Sequence, residues 1–312
     1  VDAVVIGRNE GARLLACLRS LQGQVRHIVY VDSGSTDGSV EAAARLGARV
    51  VPLDMGQPFT AARARNAGIA ALRDAAPEFI QFVDGDCTLD AGWINAALAA
   101  FATDDRLAVV CGRRRERFPG ASVYNRLADR EWDTPIGPAR ACGGDALMRH
   151  APVAAMGGFR ESLIAGEEPE LCLRLRQAGW SILRIDAEMT LHDAAMTRFG
   201  QWWKRAVRAG HAFAEGASLH GRGPDRHWIA ETRRALIWGA GLPLAILTAG
   251  LVQPALFGFL VIYPLQLLRL SRRYGGTAGL FLLLARFPEA QGALQFYLSR
   301  ALGRRQALIE YK

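Results

Sequence analysis

The chain has 312 residues, enough for one large α/β domain with an appendage, and a formal net charge of +8. Hydrophobic residues make up 50% and mean hydropathy is +0.07, which is greasy for a soluble enzyme yet too polar for a polytopic membrane protein, so the excess is local. Lysine occurs only at Lys204 and Lys312, so arginine carries the charge and favours forked contacts to phosphate; the arginines are dispersed and no binding motif accompanies them, which disfavours a nucleic-acid partner.

From residue 1 to about 110, strand-like and helix-like patterns alternate. "AVVIG", "HIVYVD", "ARVVPL" and "FIQFVD" are short β-branched runs, and no signal-peptide pattern precedes the first. Between them Leu14, Leu15, Leu18 and Leu21 make one helical apolar face, and Ala62 to Leu72 another. This alternation predicts a mostly parallel sheet with helices on both faces, whose ligands sit beyond the carboxyl ends of the strands. The polar clusters stand there: "GRNEG", "DSGSTD" and "DGDC".

From 111 to 195 the pattern loosens. "YNRLADREW" and "EPELCLRLRQAG" read as helices, the second with Pro169 at its first position and Gly179 as its stop. "WSILRID" returns as a strand, and residues 198–216 form a basic amphipathic helix bearing Trp202 and Trp203. At residue 235 the composition shifts. "ALIWGAGLPLAILTAGLV" runs 18 residues without charge, and "ALFGFLVIYPLQLL" follows Gln253 and Pro254. Arg233 and Arg234 precede this pair and Arg269, Arg272 and Arg273 follow it, which places both ends in the cytosol and predicts a hairpin or re-entrant pair over 235–270. A buried helical pair is the soluble alternative. "GLFLLLARFPEAQGALQFYL" reads as an interfacial helix over 277–302. The five cysteines are scattered without a CxxC pair, as reduced thiols facing the cytosol would be, and make no zinc site.

Several side chains at these strand ends invite chemistry. Asp84 and Asp86 form a D-x-D pair that either holds a hard divalent cation or only makes a turn. Asp32 is placed to accept from a base N–H, while Asp37 reads as a helix cap with Glu41 near the third helical position. Glu10 meets a ribose or base, or is an exposed first-turn glutamate; "GRNEG" lacks the G-x-G-x-x-G of a dinucleotide site. Of Arg63 and Arg65, one is expected along a base or phosphate and the other on a solvated helix face. Gly143 and Gly144 mark either a close backbone approach or a tight turn. Glu167, Glu168 and Glu170 cluster at a helix start, where the dipole favours them and an ionised carboxylate at neutral pH would suit a general base. His192 either contacts a metal or diphosphate, or is structural.

Taken in order, "VVIGRNEG", "VDSGSTDGS", "RNAG", "FVDGDC", "GGDALMR" and "GEEPELCLRLRQAGW" resemble family 2 glycosyltransferases over residues 1 to about 195. The resemblance implies an α/β chain: a GT-A nucleotide-sugar-binding domain with a mixed, mostly parallel sheet over 1–222, plus C-terminal membrane-associated helices over 223–312. It implies inverting transfer from a UDP-, GDP- or dTDP-sugar, with Asp32, Glu10, Arg65, Asp84, Gly143 and Gly144 around the nucleotide-sugar. Asp84, Asp86 and His192 would hold Mg²⁺ or Mn²⁺. Glu168 stands where the family's E-D motif has its catalytic aspartate, so Glu168 or Glu167 is the expected base. "QWWKR" is similar to the Q-x-x-R-W of processive synthases but differs in order, so polymer synthesis is not implied. Trp202, Trp203 and Arg205 suit headgroups or an acceptor sugar; a Trp pair buried against the GT-A domain is the alternative. The expected setting is the cytoplasmic face of a bacterial inner membrane, with a lipid-linked or membrane-proximal acceptor. The alternative is a catalytically weak sugar-nucleotide-binding subunit of an envelope polysaccharide assembly.

Overall fold

The structure is a computed structural model and describes residues 1–303; the end of the expected 223–312 region lies outside the described residues. The chain divides into two compact units. The first comprises 1–163 with 167–197; the second comprises 164–166 with 198 onward. The boundary therefore precedes the amphipathic helix, which groups with the second unit and not, as the sequence suggested, with the first.

In the first unit, strands β1 (Asp2–Gly7), β2 (Ile28–Asp32), β3 (Arg49–Pro52) and β4 (Phe79–Asp84) alternate with helices α1 (Ala12–Leu21), α2 (Ser39–Arg45) and α3 (Ala61–Ala71). Then follow β5 (Cys87–Leu89), α4 (Trp93–Phe101), β6 (Leu107–Glu116), α5 (Val123–Glu131), β7 (Gly137–Pro138), β8 (Ala146–Arg149), α6 (His150–Ala155), α7 (Glu167–Gln177) and β9 (Ser181–His192). One sheet contains all nine strands in the order β3-β2-β1-β4-β8-β6-β9-β5, with β7 against β9. The pairing is parallel from β3 to β4 and mixed beyond: β8 runs antiparallel to both β4 and β6, while β6 and β9 are parallel. The sheet is thus wholly parallel across β1 to β4, where strand and helix alternate, and mixed beyond them.

Burial explains the elements. Val4, Val5 and Ile6 of β1 are buried, as a central strand covered on both faces requires. Helix α1 turns Leu14, Cys17, Leu18 and Leu21 inward at helical spacing. Helix α3 is capped by Thr60, whose hydroxyl accepts from the Arg63 amide at 3.1 Å. It rests on β1 at Gly68, where any Cβ would overlap the side chain of Val4. Asn66 ties α3 to the loop before α7: its amide nitrogen donates to the Phe159 carbonyl at 2.8 Å, and the Phe159 amide returns a bond at 2.9 Å. The "RNAG" stretch is therefore a packing motif as well as a site motif.

The second unit is helical. It contains α8 (Phe199–His220), α9 (Ile229–Leu236), α10 (Leu242–Val252), α11 (Ile262–Tyr274), α12 (Gly276–Leu284) and α13 (Arg286–Ala301). A π-helical turn, Ile237–Gly241, joins α9 to α10, and a 3₁₀ stretch, Pro254–Val261, leads into α11. Gly210 of α8 lies against the backbone of Glu289, and Gly292 of α13 against that of Val207, so the two helices cross at closely approaching backbones. Ile229–Val252 and Pro254–Tyr274 are each long and apolar enough to cross a membrane, with mean hydropathy 1.9 and 1.4. They are also largely uncovered: Leu251 and Val252 are 81% and 87% exposed. The buried soluble pair that the sequence left open is not what the described residues form.

Candidate active site

The parallel register lines up the strand ends. Gly7 stands opposite Asp32, and Ile6 opposite Asp84, so both aspartates flank the end of β1, one register position apart. Asp32 is buried. Tyr30 Oη donates to its Oδ1 at 2.9 Å, and the amides of Gly34 and Ser35 donate to Oδ2 at 3.0 Å each. Those bonds fix the "DSGS" turn and leave little of the carboxylate's accepting capacity for a ligand. Asp37 accepts from the Ser39 amide at 3.1 Å, an i to i+2 turn bond, but the cap of α2 is Gly38, in the left-handed region and without a side-chain cap bond, so Asp37 is not the cap the sequence suggested. Glu10 pairs with Arg13 at 2.7 Å and lays its Cγ beside Gly7 and Gly85.

Arg65 is the hub. It is buried, with Nη2 at 3.0 Å from Asp84 Oδ1 and Nη1 at 2.8 Å from Glu167 Oε1 and 2.8 Å from Glu168 Oε1. Its guanidinium also lies over the Phe159 ring, 5.6 Å from the centroid. One arginine thus joins the end of β4 to the start of α7. Arg63, its partner in the sequence, instead donates to the carbonyls of Asp54, Gln57 and Pro58. Gly144 makes room for the arrangement: a Cβ there would lie 2.8 Å from Arg65 Nη2 and 2.9 Å from Asp84 Oδ2. A Cβ on Gly143 would meet only Arg114, at an ordinary 3.7 Å.

The helix start does not keep Glu168 fully ionised at neutral pH, contrary to the sequence expectation. Burial pushes its pKa up to about 7; Arg65 opposes this, while Glu167 and Asp84 add to it. Glu170 is set apart, buried between Arg160 and Arg174 at 2.8 Å from each. Helix α7 begins at Glu167, two residues before Pro169.

Asp84 and Asp86 face two neighbouring groups that share Cys87. Asp84, Cys87 and Asp145 form one; Asp86, Cys87 and His192 form the other, the candidate ligand atoms in each lying within 4.8 Å of one another. Asp86 Oδ2 is 3.4 Å from His192 Nε2, and His192 Nδ1 is 3.8 Å from Glu116 Oε2. Burial, followed by the nearby charge of Arg114, lowers the pKa of His192, which keeps the ring neutral as a metal ligand must be. The expected set of Asp84, Asp86 and His192 is therefore divided: the imidazole shares its group with one carboxylate and the Cys87 thiol, while Asp84 groups with Asp145.

Four residues of this site escape the sequence reading. Arg114 Nη2 is 3.2 Å from Asp84 Oδ2, its Nε is 3.4 Å from Asp145 Oδ2, and its guanidinium lies 4.9 Å over the Trp132 ring. Trp132 meets His192 edge-on at 4.8 Å. Asp145 is buried; it accepts the Asp84 amide at 3.1 Å and the Thr190 hydroxyl at 2.7 Å. Glu116 accepts the amides of Phe118 and Ala194 at 3.0 Å each. The available signal was an arginine run inside a strand and an aspartate directly after Gly144.

In the second unit, Trp202 is buried edge-on against Phe281, 5.0 Å away, and beside Phe199. Its indole therefore packs in its own unit, where the sequence had offered it to a headgroup or sugar. Trp203 is half-buried and donates to Gln291 Oε1 at 2.9 Å, and Arg205 lies on the same helix, α8.

The sequence family described as "Glycosyl transferase family 2" matches residues 2–165. The pre-mycofactocin glycosyltransferase of Mycobacterium tuberculosis (strain CDC 1551 / Oshkosh) is 27% identical over 239 residues. That alignment takes in 72% of this chain but 48% of the relative, so the chain spans about half the length of the curated relatives it matches. Among solved structures, the mannosyltransferase PcManGT from Pyrobaculum calidifontis, in complex with GDP-Man and Mn²⁺, superimposes with a TM-score of 0.63 at 21% identity, covering 93% of this chain and 86% of that one. S. aureus TarS 1-349 gives 0.52 at 13% identity, covering 97% and 92%. Both show the likeness of fold.

Proposed function

The chain belongs to glycosyl transferase family 2, and we propose that it moves a sugar from a nucleotide-sugar to an acceptor hydroxyl, with inversion, at the cytoplasmic face of a bacterial inner membrane. The observation that carries this reading is Arg65, which holds a strand-end aspartate and two helix-start glutamates in one buried network. A leaving-group side and a base side are thereby set at a fixed separation.

Asp32 and Glu10 border the place of the base and ribose, beyond the ends of β1 and β2. Asp86 and His192, with Asp84 beside them, would hold Mg²⁺ or Mn²⁺. A divalent ion there supplies positive charge to the departing diphosphate. Arg65 and Arg114 converge on Asp84 from two sides, so either guanidinium can turn a donor N–H toward a phosphate oxygen. Glu168, in its ionised form, takes the proton of the acceptor hydroxyl. The acceptor oxygen then attacks the anomeric carbon from the face opposite the leaving group. Glu168 reaches one methylene further than an aspartate would, and Arg65 fixes the oxygen at the end of that longer arm.

The acceptor is lipid-linked or membrane-proximal in this reading. Its support is the uncovered apolar pair Ile229–Val252 and Pro254–Tyr274, with arginines at both ends. The deciding experiment is transfer or donor hydrolysis with UDP-, GDP- and dTDP-sugars and Mn²⁺, comparing the full chain with Glu168→Gln. Loss of turnover with nucleotide binding retained supports the reading. Full turnover in Glu168→Gln rejects that base, and nucleotide binding without turnover in either protein favours the sugar-nucleotide-binding subunit.

A further inference from the structure

Residues Ile164–Gly166 pack with the second unit, and Gly166 is the last residue before Glu167 and Glu168. Gly166 has φ +82°, and a Cβ built on it would come within 2.5 Å of Trp228 Cη2 and 3.4 Å of Ala212 Cβ. The edge of an indole therefore sits on bare backbone, one residue ahead of the candidate base pair.

Trp228 is itself held hard. Its φ is +54°, a left-handed conformation that costs a bulky side chain energy and persists only where the surroundings impose it. The ring stacks on His227 at 4.3 Å and meets Phe213 of α8 edge-on at 5.3 Å. Gly216 of α8 leaves the room: a Cβ there would overlap the indole. The Trp228 carbonyl accepts the Thr232 amide at 3.0 Å, so the same residue starts α9, the opening turn of the apolar helix Ile229–Val252.

We propose that Trp228 is a positioning residue for the turn that carries Glu167 and Glu168. Its indole restricts the backbone of Gly166, and one peptide bond leads from Gly166 to the first of the two carboxylate-bearing residues. The catalytic consequence rests on the glycosyl-transfer reading; the contact does not.

The test compares the full chain with Trp228→Ala, Trp228→Phe and Gly166→Ala. Two quantities are measured: hydrogen exchange of the amides of residues 164–170, and kcat and KM for the donor. In Trp228→Ala, exchange in this segment should rise about tenfold or more while the sheet stays protected. The kcat should fall on the order of a hundredfold with donor KM nearly unchanged, as a misplaced base predicts. Trp228→Phe should recover most of the loss, and Gly166→Ala should reproduce it with the tryptophan in place. Unchanged protection at 164–170 overturns the proposal whatever the activity, and so does raised exchange with unaltered kcat. If Trp228→Ala unfolds, Trp228→Phe and Gly166→Ala decide on the same two readouts. Raised exchange in a protein whose parent transfers from no nucleotide-sugar upholds the positional role and rejects the glycosyl-transfer reading.

Discussion

Arg65 Nη1 stands 2.8 Å from Glu168 Oε1, yet the carboxyl it faces has its pKa pushed up to about 7. Burial is the largest cause and outweighs the opposing charge of Arg65, while Glu167 on the same helix turn adds a smaller like-charge contribution. The base is thereby placed where a small change of environment moves it across neutral pH.

The pH profile of turnover should show this. Glu168 accepts a proton only when ionised, so kcat/KM should rise with pH, reach half its plateau near pH 7 and level off above. Glu167→Gln removes a charge that raises the pKa, so its midpoint should move to lower pH. Arg65→Gln removes a charge that lowers it, so that midpoint should move up, on top of a loss of roughly 10²–10⁴-fold if the base geometry collapses. Midpoints that shift together, or not at all, would remove Glu168 as the titrating group.

Gly144→Ala tests the crowding at the hub. The new methyl would press on Arg65 Nη2 and Asp84 Oδ2, both ends of side chains, so the fold has room to yield where the ion pair does not. Donor affinity should fall about tenfold, as expected for displaced charge-assisted contacts, with Tm lowered by only a few degrees. Gly143→Ala, which meets Arg114 at an ordinary contact distance, should change affinity little. Titration of the nucleotide by calorimetry separates the two variants; equal effects would contradict the geometry.

Metal dependence should follow the Asp86–His192 pair. EDTA should abolish turnover, and Mn²⁺ binding followed by electron paramagnetic resonance should weaken at least about tenfold in Asp86→Asn and His192→Ala. Asp145→Asn should weaken it less directly. Both Asp145 oxygens already accept hydrogen bonds, from the Asp84 amide and the Thr190 hydroxyl, so this residue holds Asp84 in place. If Asp145→Asn alone eliminated Mn²⁺ binding, the ion would belong to the Asp84–Cys87–Asp145 group instead.

What the sequence revealed of this site follows from how the sheet is built. Asp32 and Asp84 end β-branched runs that pair in parallel, and such runs place their last residues on one edge whatever the rest of the chain does. Arg65 and Glu167 lie in local motifs with a recognisable order. Arg114, Glu116 and Asp145 do not. They meet the site through β6 and β8, whose antiparallel and long-range pairing no local pattern announces. The register of β6 against β9 also shifts on both sides of Arg113. A bulge there breaks the period-two alternation that would have told which arginine of the run faces inward. Trp202 misled for another reason. The amphipathic pattern of 198–216 is real, but Phe281 covers the indole, and a helix pattern cannot say what packs on it.

Leu244, Leu247 and Leu251 on one helix of the apolar pair and Phe259, Leu265 and Leu268 on the other are exposed among the described residues. Uncovered apolar area on this scale is unfavourable in water at roughly 25 cal/mol per Å² and is removed by a hydrocarbon phase. The flanking Arg233, Arg234, Arg269, Arg272 and Arg273 stay with anionic headgroups, each contributing about 1 kcal/mol near such a surface. The full chain should therefore sediment with vesicles of mixed zwitterionic and anionic lipid. High salt should release little of it, because the apolar term dominates. Leu247→Glu with Leu251→Glu places charge in the hydrocarbon and should shift the protein to the supernatant. Complete release of the parent chain by salt alone would mean that the arginines, and not the helices, hold it to the surface.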